Sequence, residues 1–479
     1  MSNITSSNIN IESVERIFNS HQETAKSIKH SDYKARIKKI DSIVNYIKDA
    51  SNEKRLLEAM KIDLGRHAVE VLVTEISVIN NIAKHIKRNL KEWMKDERVK
   101  TSLSLIGASS YILKEPKGSA LIISPWNYPF QLAIAPLCYA IAAGNTAVIK
   151  PSEYSIETSA YMAQMIADLF DPKEITVVQG AVDETQMLLD QAWNHIYFTG
   201  SPMVGKIIMK AASKHLSSVT LELGGKSPCI IDDKINIAKV AKKLVWAKYL
   251  NNGQTCIAPD YVLVPEGRKN ELLTELKKEI KNQLDPKGTG IESNADYGHI
   301  ISEKHHDKCV SNLNDAINKG AKIIAGGEYN STSKYFAPTV LDNVTEEMDV
   351  IKEEIFGPIL PIQTYKSNKD AIDIIAKKPK PLALYIQSNN QKAIDFFLDN
   401  TTAGGTVIND FMIHFANPNL PFGGVNNSGI GKSHGYYGFQ EFTNERAVMR
   451  QRFGATGLLH PPFTSTTEKL ARFMGRWLG

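Results

Sequence analysis

The chain has 479 residues, too many for one ordinary hydrophobic core, so two or three domains are expected. Its 42% hydrophobic and 23% charged residues are those of an ordinary globular protein rather than a fibrous or disordered one. The net charge of +5 comes from lysines dispersed among acids, with no arginine-rich arm, which argues against nucleic acid and is compatible with an anionic substrate or cofactor.

Residues 11–97 read as helices, with apolar side chains at helical spacing such as Ile40, Ile43, Val44 and Ile47. From Ser102 to Lys114, the residues Leu103, Leu105, Tyr111 and Leu113 around Gly107-Ala108-Ser109-Ser110 predict a β-hairpin. A β-α-β rhythm follows. Strands are expected at Ala120–Ile123, Thr146–Ile149, Ile175–Val178 and His195–Phe198, with helices over Phe130–Ala143 and Ser155–Leu169. Short apolar strands alternating with helices predict a parallel sheet covered on both faces. After Gly224 the rhythm resumes: strand Cys229–Ile231, helix Ile237–Leu250 stopped by Asn251-Asn252-Gly253, then strand Tyr261–Val264. This second α/β unit runs to about Asn426 and places Cys256 on a loop.

The four cysteines, Cys138, Cys229, Cys256 and Cys309, form no Cys-x-x-Cys pair, and so few thiols in a chain this long point to a reducing, cytoplasmic setting. The start, Met1 to Ser7, is polar and lacks the apolar core of a signal peptide. The most apolar stretch, Leu132 to Ala143, is short, contains Pro136 and reads as a buried helix rather than a membrane span.

Cys256, in Asn252-Gly253-Gln254-Thr255-Cys256, and Glu222, in Leu221-Glu222-Leu223-Gly224-Gly225, carry the chemistry. A thiol nucleophile and a carboxylate able to activate water are the minimum needed to make a thioester and hydrolyse it. An aldehyde yields a thioester once a hydride is removed, which calls for a nicotinamide cofactor. Alternation along a strand puts Glu222 on the face opposite Leu221 and Leu223. An isolated cysteine is more often a small buried hydrophobe, and Cys138, Cys229 and Cys309 keep that reading. Asn127, between Trp126 and Tyr128-Pro129, offers a fixed amide to a developing oxyanion and equally suits a turn. Gly200-Ser201-Pro202-Met203-Val204-Gly205 follows a strand and opens a helix, as a pyrophosphate site would, although Pro202 is also ordinary helix-start chemistry. Ser152 and Glu153 can be read simply as the cap and first turn of a helix. His305-His306 and the other histidines lack metal-ligand spacing, and no metal is expected.

Several motifs in order resemble the NAD(P)-dependent aldehyde dehydrogenase superfamily over residues 22–452. They are Ser124-Pro125-Trp126-Asn127-Tyr128-Pro129, Lys150-Pro151-Ser152-Glu153, Phe198-Thr199-Gly200-Ser201, Leu221-Glu222-Leu223-Gly224-Gly225-Lys226, Gly253-Gln254-Thr255-Cys256, Glu354-Ile355-Phe356-Gly357-Pro358 and Pro421-Phe422-Gly423-Gly424. The run from Pro421 to Gly431, then His434-Gly435, and the tail through Pro461-Pro462-Phe463 are most similar to the class 3 branch, as is the short segment before the first motif.

The resemblance implies an α/β fold. A Rossmann-type cofactor domain would span 1–100 and 119–223, and a second α/β catalytic domain 224–426. A small β oligomerisation element would span 101–118 and 440–455, and a tail with an amphipathic helix 456–479. It implies Cys256 as nucleophile, Glu222 as base, and Asn127 with the Cys256 N–H as oxyanion donors. Cofactor contacts would come from Trp126, Lys150, Glu153, Gly200, Ser201, Gly205, Leu223, Glu354 and Phe356. Glu153 would bond a ribose diol and repel a 2′-phosphate, tilting the choice to NAD with NADP still accepted. Class 3 relatives are commonly dimers acting on medium-chain aliphatic and aromatic aldehydes. The alternatives are an acylating enzyme that passes the acyl group to coenzyme A, and a silent cofactor-binding protein.

In the tail, Ser465-Thr466-Thr467-Glu468 reads as a capping box. Leu470, Phe473, Met474, Trp477 and Leu478 share one helical face. Packing of that face on the protein or a partner subunit is favoured over a membrane surface or a lid.

Overall fold

The computed structural model describes residues 10–102, 105–454, 457 and 460–477. Met1 to Ser7, Leu103, Ala455, Leu478 and the side chain of Trp477 lie outside the described residues.

A six-stranded sheet has the order Gly429–Ile430, Ser218–Leu223, His195–Gly200, Ser119–Ile123, Thr146–Lys150, Ile175–Val177. All its pairings are parallel except Gly429–Ile430 against Ser218–Leu223. Strand alternation fills two layers. Ala120, Ile122, Ala147, Ile149 and Tyr197 pack under one set of helices, while Leu121, Ile123, Val148, Phe198, Leu221 and Leu223 pack under another. The strand order reverses between Ser119–Ile123 and His195–Gly200, so a crevice opens there at the carboxyl ends of the strands.

The N-terminal helices Ile11–Ile28, Tyr33–Lys48, Ala50–Leu64 and Ser77–Trp93 are tied to this sheet by polar contacts as well as packing. Helix Gln131–Ala143 has no cap of its own, and Glu75 accepts its first N–H from Gln131 at 2.7 Å. Helix Ile156–Leu169 is capped by Asp63, which accepts from the N–H groups of Glu157 and Thr158 at 3.1 and 2.9 Å. This corrects the capping role read for Ser152 and Glu153, since the helix starts later, at Ile156, and borrows its cap from another helix.

A seven-stranded sheet has the order Lys322–Ala325, Thr339–Asp342, Ile359–Tyr365, Tyr261–Pro265, Pro228–Ile231, Ala383–Gln387, Gly405–Ile408. It is parallel apart from the first pair. Cys229, Ile231, Val262 and Tyr385 face one core, and Ile230, Tyr261, Leu263 and Ile386 the other.

The third sheet differs from the predicted hairpin. Ala108–Pro116 is one unbroken strand, paired antiparallel with Glu97–Val99 on one side and with Thr443–Gln451 on the other. Ala108-Ser109-Ser110 therefore lies in the strand and is not a turn; only Gly107 takes a positive φ, +87°. The distant strand Thr443–Gln451 claims this backbone along its whole length, and such tertiary pairing overrides weak local turn preference.

The tail helix spans Ser465–Trp477. Its cap is Thr464, whose hydroxyl accepts from Thr467 N–H at 3.2 Å, while Glu468 pairs with Arg472 at 2.7 Å. The capping box read from Ser465 is thus one residue out of place, because Ser465 is already helical. On its apolar face Phe473 is 53% exposed, while Leu470 and Met474 are half-buried. Among the described residues no helix is long and apolar enough to cross a membrane.

Candidate active site

Cys256 follows a stretch of unusual backbone. Asn251 and Asn252 both take left-handed conformations, at φ 50° and 54°, and Gly253 follows at 71°. Such residues cost energy unless their surroundings hold them. Here they are held tightly. Gln254 is fully buried, donating to the carbonyls of Asn251 and His299 at 3.0 and 3.2 Å and accepting from Ile301 N–H at 3.0 Å. The Tyr128 hydroxyl meets Thr255 Oγ1 at 2.8 Å, and the Tyr385 hydroxyl donates to Ile257 O. The nucleophile candidate is thereby clamped from both sides in sequence.

Asn127 stands on the loop after strand Ser119–Ile123, and its Nδ2 donates to Gln254 O at 3.0 Å. An amide has two N–H groups, so one stays free beside the Cys256 loop. Glu222 lies on strand Ser218–Leu223, opposite the leucines, and lines the same cavity as Cys256. That cavity measures about 250 Å³ and is almost wholly apolar, with Leu132, Tyr139, Phe411, Met412, Phe415 and Phe422 in its wall.

Glu222 is 5% exposed, and among the described residues neither carboxylate oxygen meets a partner in good hydrogen-bond geometry, although the Ser433 hydroxyl is close enough to act on it. Burial pushes its carboxyl up to about 8, tempered by the nearby Ser433 hydroxyl and the Lys432 ammonium. Burial, then Glu354 and Glu222, push the Cys256 thiol up to about 12, so without a compensating cation it stays protonated at neutral pH.

Lys150 ends its strand 2% exposed and donates to Pro151 O at 2.6 Å. That is its one hydrogen bond among the described residues, which leaves two N–H groups of a buried ammonium for a ligand. Glu153 is exposed beside it, and no helix claims it. Ser201 caps helix Pro202–Ser213 through Val204 N–H at 3.3 Å, and the helix start faces the crevice end of strand His195–Gly200. Gly205 packs on Leu223 so closely that a side chain there would fall 2.8 Å from it. Trp126 meets the ring of Phe356 at 5.3 Å, and Phe356 itself holds a φ of +48°. Glu354 lies against Gly224, where any side chain would collide with its carboxylate. Burial and Asp260 push Glu354 up to about 8. A buried ammonium with donors to spare, a helix start, two aromatic rings and carboxylates are the groups that suit a dinucleotide.

Sequence reasoning passes over several groups here. His305 meets Trp126 at 4.7 Å and Tyr154 at 5.2 Å, extending the aromatic wall from the other sheet's side. Lys226 forms a buried ion pair with Asp260 and donates to Val350 O at 2.6 Å and Glu353 O at 2.9 Å, anchoring the Glu354 segment. Arg66 lies over the Tyr128 ring at 4.7 Å and pairs with Glu75 at 2.5 Å. His305 was visible only as a histidine without metal spacing, and no local pattern marks Arg66.

The aldehyde dehydrogenase family profile matches residues 4–448. The chain is 42% identical over 441 residues to 4,4'-diaponeurosporen-aldehyde dehydrogenase of Staphylococcus aureus, covering 92% of this chain and 94% of that one. It is 40% identical to aldehyde dehydrogenase family 3 member A2 of Pongo abelii, covering 91% and 89%. A substrate-bound structure of Staphylococcus aureus AldH superposes with a TM-score of 0.91 at 40% identity, covering 97% and 100%. An NAD+ complex of an aldehyde dehydrogenase from Bacillus cereus gives 0.83 at 26%, covering 92% and 89%. A thiol and a buried carboxylate lining one apolar cavity thus sit in a chain that belongs to the aldehyde dehydrogenase family, an oxidoreductase with family 3 enzymes among its relatives.

Proposed function

We propose that the protein oxidises medium-chain aliphatic or aromatic aldehydes to free carboxylic acids through a thioester on Cys256. The observation that carries this is the shared cavity: Glu222, whose oxygens lack a well-formed hydrogen bond among the described residues, lines the same apolar space as Cys256. NAD(P)+, when bound, supplies the acceptor for the hydride that leaves the aldehyde carbon. The chain's own residues do the rest. Cys256 Sγ, its proton passed to solvent, adds to the carbonyl carbon. The free N–H of Asn127 and the backbone N–H of Cys256 hold the resulting oxyanion. Loss of hydride leaves the thioester. Glu222, its proton released, takes one from water; the hydroxide adds to the thioester carbon, the C–S bond breaks, and the acid departs as Sγ regains a proton.

The cofactor is NAD, with NADP accepted, held by Lys150 and Glu153 at the ribose, by Gly200 and Ser201 at the pyrophosphate, and by Trp126, Glu354 and Phe356 near the nicotinamide. Residues 1–100 and 119–223 form the cofactor domain and 224–426 the catalytic domain. Edge strand Thr443–Gln451, with Met449 54% exposed, forms the interface of a homodimer. The exposed face of the tail helix meets the partner subunit.

NADH formation by purified protein with hexanal and benzaldehyde, in the absence of coenzyme A, tests the reading beside Cys256→Ala. Turnover to free acid in the parent and at least about a thousandfold loss in the variant is expected. Turnover that waits for coenzyme A would place the enzyme in the acylating class and leave Glu222 without its role.

A further inference from the structure

Lys432 and Ser433 separate Gly431 from His434, between two stretches that carried the family resemblance, and neither drew a role from the sequence. In the fold they stand beside Glu222. Lys432 Nζ donates to Gly423 O at 2.7 Å and to Gly424 O at 3.0 Å. Gly423 lies directly over the carboxylate: a side chain there would fall 3.1 Å from Glu222 Oε1. The lysine thus ties down the loop that roofs the one carboxylate in the cavity. We propose that Lys432 is the positioning residue for Glu222, pinning the Gly423-Gly424 loop against the carboxylate and keeping a positive charge beside it when water is deprotonated. This rests on the reading of Glu222 as the base.

The groups facing Glu222 leave Lys432 a distinct part. Strand His195–Gly200 presents Tyr197, the catalytic loop presents Cys256, and the C-terminal segment presents Lys432, Ser433 and Glu441. Glu441 disfavours a second negative charge, while Tyr197 and Cys256, both raised by burial and by Glu222, face it as neutral groups. Lys432 is the cation among these groups, and it forms no ion pair with either carboxylate, so its attraction acts at a distance. Glu441 is engaged elsewhere, accepting from Lys432 N–H at 2.9 Å and from the Thr220 hydroxyl. Thr220 Oγ1 lies 3.2 Å from His195 Nε2, with Lys117 Nζ 3.4 Å from His195 Nδ1. The seam from Lys117 to Glu441 fixes the backbone on which Lys432 stands. With a neutral Lys432 replacement, Glu222 would hold its proton more tightly, and less of it would be basic at a given pH.

The test uses the full chain with NAD+ and hexanal, following decay of the acyl-enzyme after a single turnover across pH, for the parent, Lys432→Met, Lys432→Gln, Lys432→Arg and Glu222→Gln. The expected result for Lys432→Met is an unaltered NADH burst and about tenfold slower decay at neutral pH, with the acid limb moved up by about one unit. Lys432→Gln keeps a donor to the loop carbonyls and loses only the charge, so it carries the test if Lys432→Met fails to fold, and its limb moves too. Lys432→Arg retains both charge and donors and restores the parent profile. A limb that stays in place in both neutral variants, or decay slowed equally at every pH along with the burst, overturns the proposal. Parental decay in Glu222→Gln would instead sink the reading of Glu222 itself.

Discussion

Two carboxylates, Glu222 and Glu354, act on Cys256, and their surroundings differ although burial pushes each up to about 8. Glu222 projects from a sheet strand into an apolar cavity, with Ser433 and Lys432 as the polar groups that lower it. Glu354 lies in a charged nest in which Asp260 raises it while the Gly225 N–H, Lys226 and Lys248 pull it down. Desolvation is the largest cause in both places, and what differs is the denser set of charges around Glu354. A carboxylate without a well-formed bond can accept a water; one enclosed by cations is suited to hold a fixed ligand group.

Exchanging each for its amide gives the sharpest break. Glu222→Gln is expected to slow acid release about 10²–10⁴-fold while leaving one burst of NADH per active site. Glu354→Gln should leave acyl-enzyme decay within about tenfold of the parent and act mainly on cofactor binding. The reverse pattern in stopped-flow traces would exchange the two roles. The pH dependence follows from the sign of the shift. Glu222 works as a carboxylate, and its proton is lost only as pH rises through about 8. Decay should therefore climb with pH up to that region, falling tenfold per unit on the acid side.

Asn127→Ala ranks next. Oxyanions form in both halves of the reaction, so burst and decay should slow together, by about 10²–10³-fold or roughly 3–4 kcal/mol. An effect confined to the burst would mean that the Cys256 N–H suffices for hydrolysis. The variant also deprives Gln254 O of its 3.0 Å donor, although Asn251 Nδ2 still donates to it at 3.3 Å.

What could be read in advance follows physical range. Strands such as Ala120–Ile123 and Tyr261–Val264 were legible because continuous apolar runs of four or five residues between turns leave few alternatives, whereas five strands of the seven-stranded sheet, from Lys322–Ala325 to Gly405–Ile408, were not picked out. The turn misplaced at Gly107–Ser110 and the cap misplaced at Ser465 failed at element ends, where partners far along the chain decide: Thr443–Gln451 in the first case. Cys256, Glu222 and Asn127 could be picked out because their neighbours form ordered motifs. The cavity could not be, because Tyr139, Phe411 and Phe422 come from three separate segments and no spacing links them. Lys432 was hidden for the same reason: its part depends on Gly423 lying over Glu222, two hundred residues away in sequence.

The apolar side of the comparison breaks differently. Phe415→Ala opens the cavity wall near His434, whose ring meets Phe415 at 4.6 Å. Losing that apolar contact is worth about 1.5–3 kcal/mol to a hexanal tail. KM for hexanal should rise about tenfold or more while kcat holds, and KM for acetaldehyde, which has almost no tail, should move little. A fall in kcat for both aldehydes would show that Phe415 supports the catalytic groups rather than the substrate.

The smallest effect separates clamp from cavity. Tyr128 belongs to both: its ring lines the cavity over Arg66, and its hydroxyl meets Thr255 Oγ1 at 2.8 Å. Tyr128→Phe keeps the ring, the cation contact and the apolar wall, and removes only the hydroxyl bond beside the nucleophile. A neutral hydrogen bond of this kind contributes about 1 kcal/mol, so a loss near fivefold is expected. Because the bond fixes the loop rather than the aldehyde, the loss should appear in the burst rate with KM unchanged for hexanal and benzaldehyde alike. A change in KM with the burst intact would instead make the hydroxyl a substrate contact, and the Cys256 loop would owe its position to Gln254 and Tyr385.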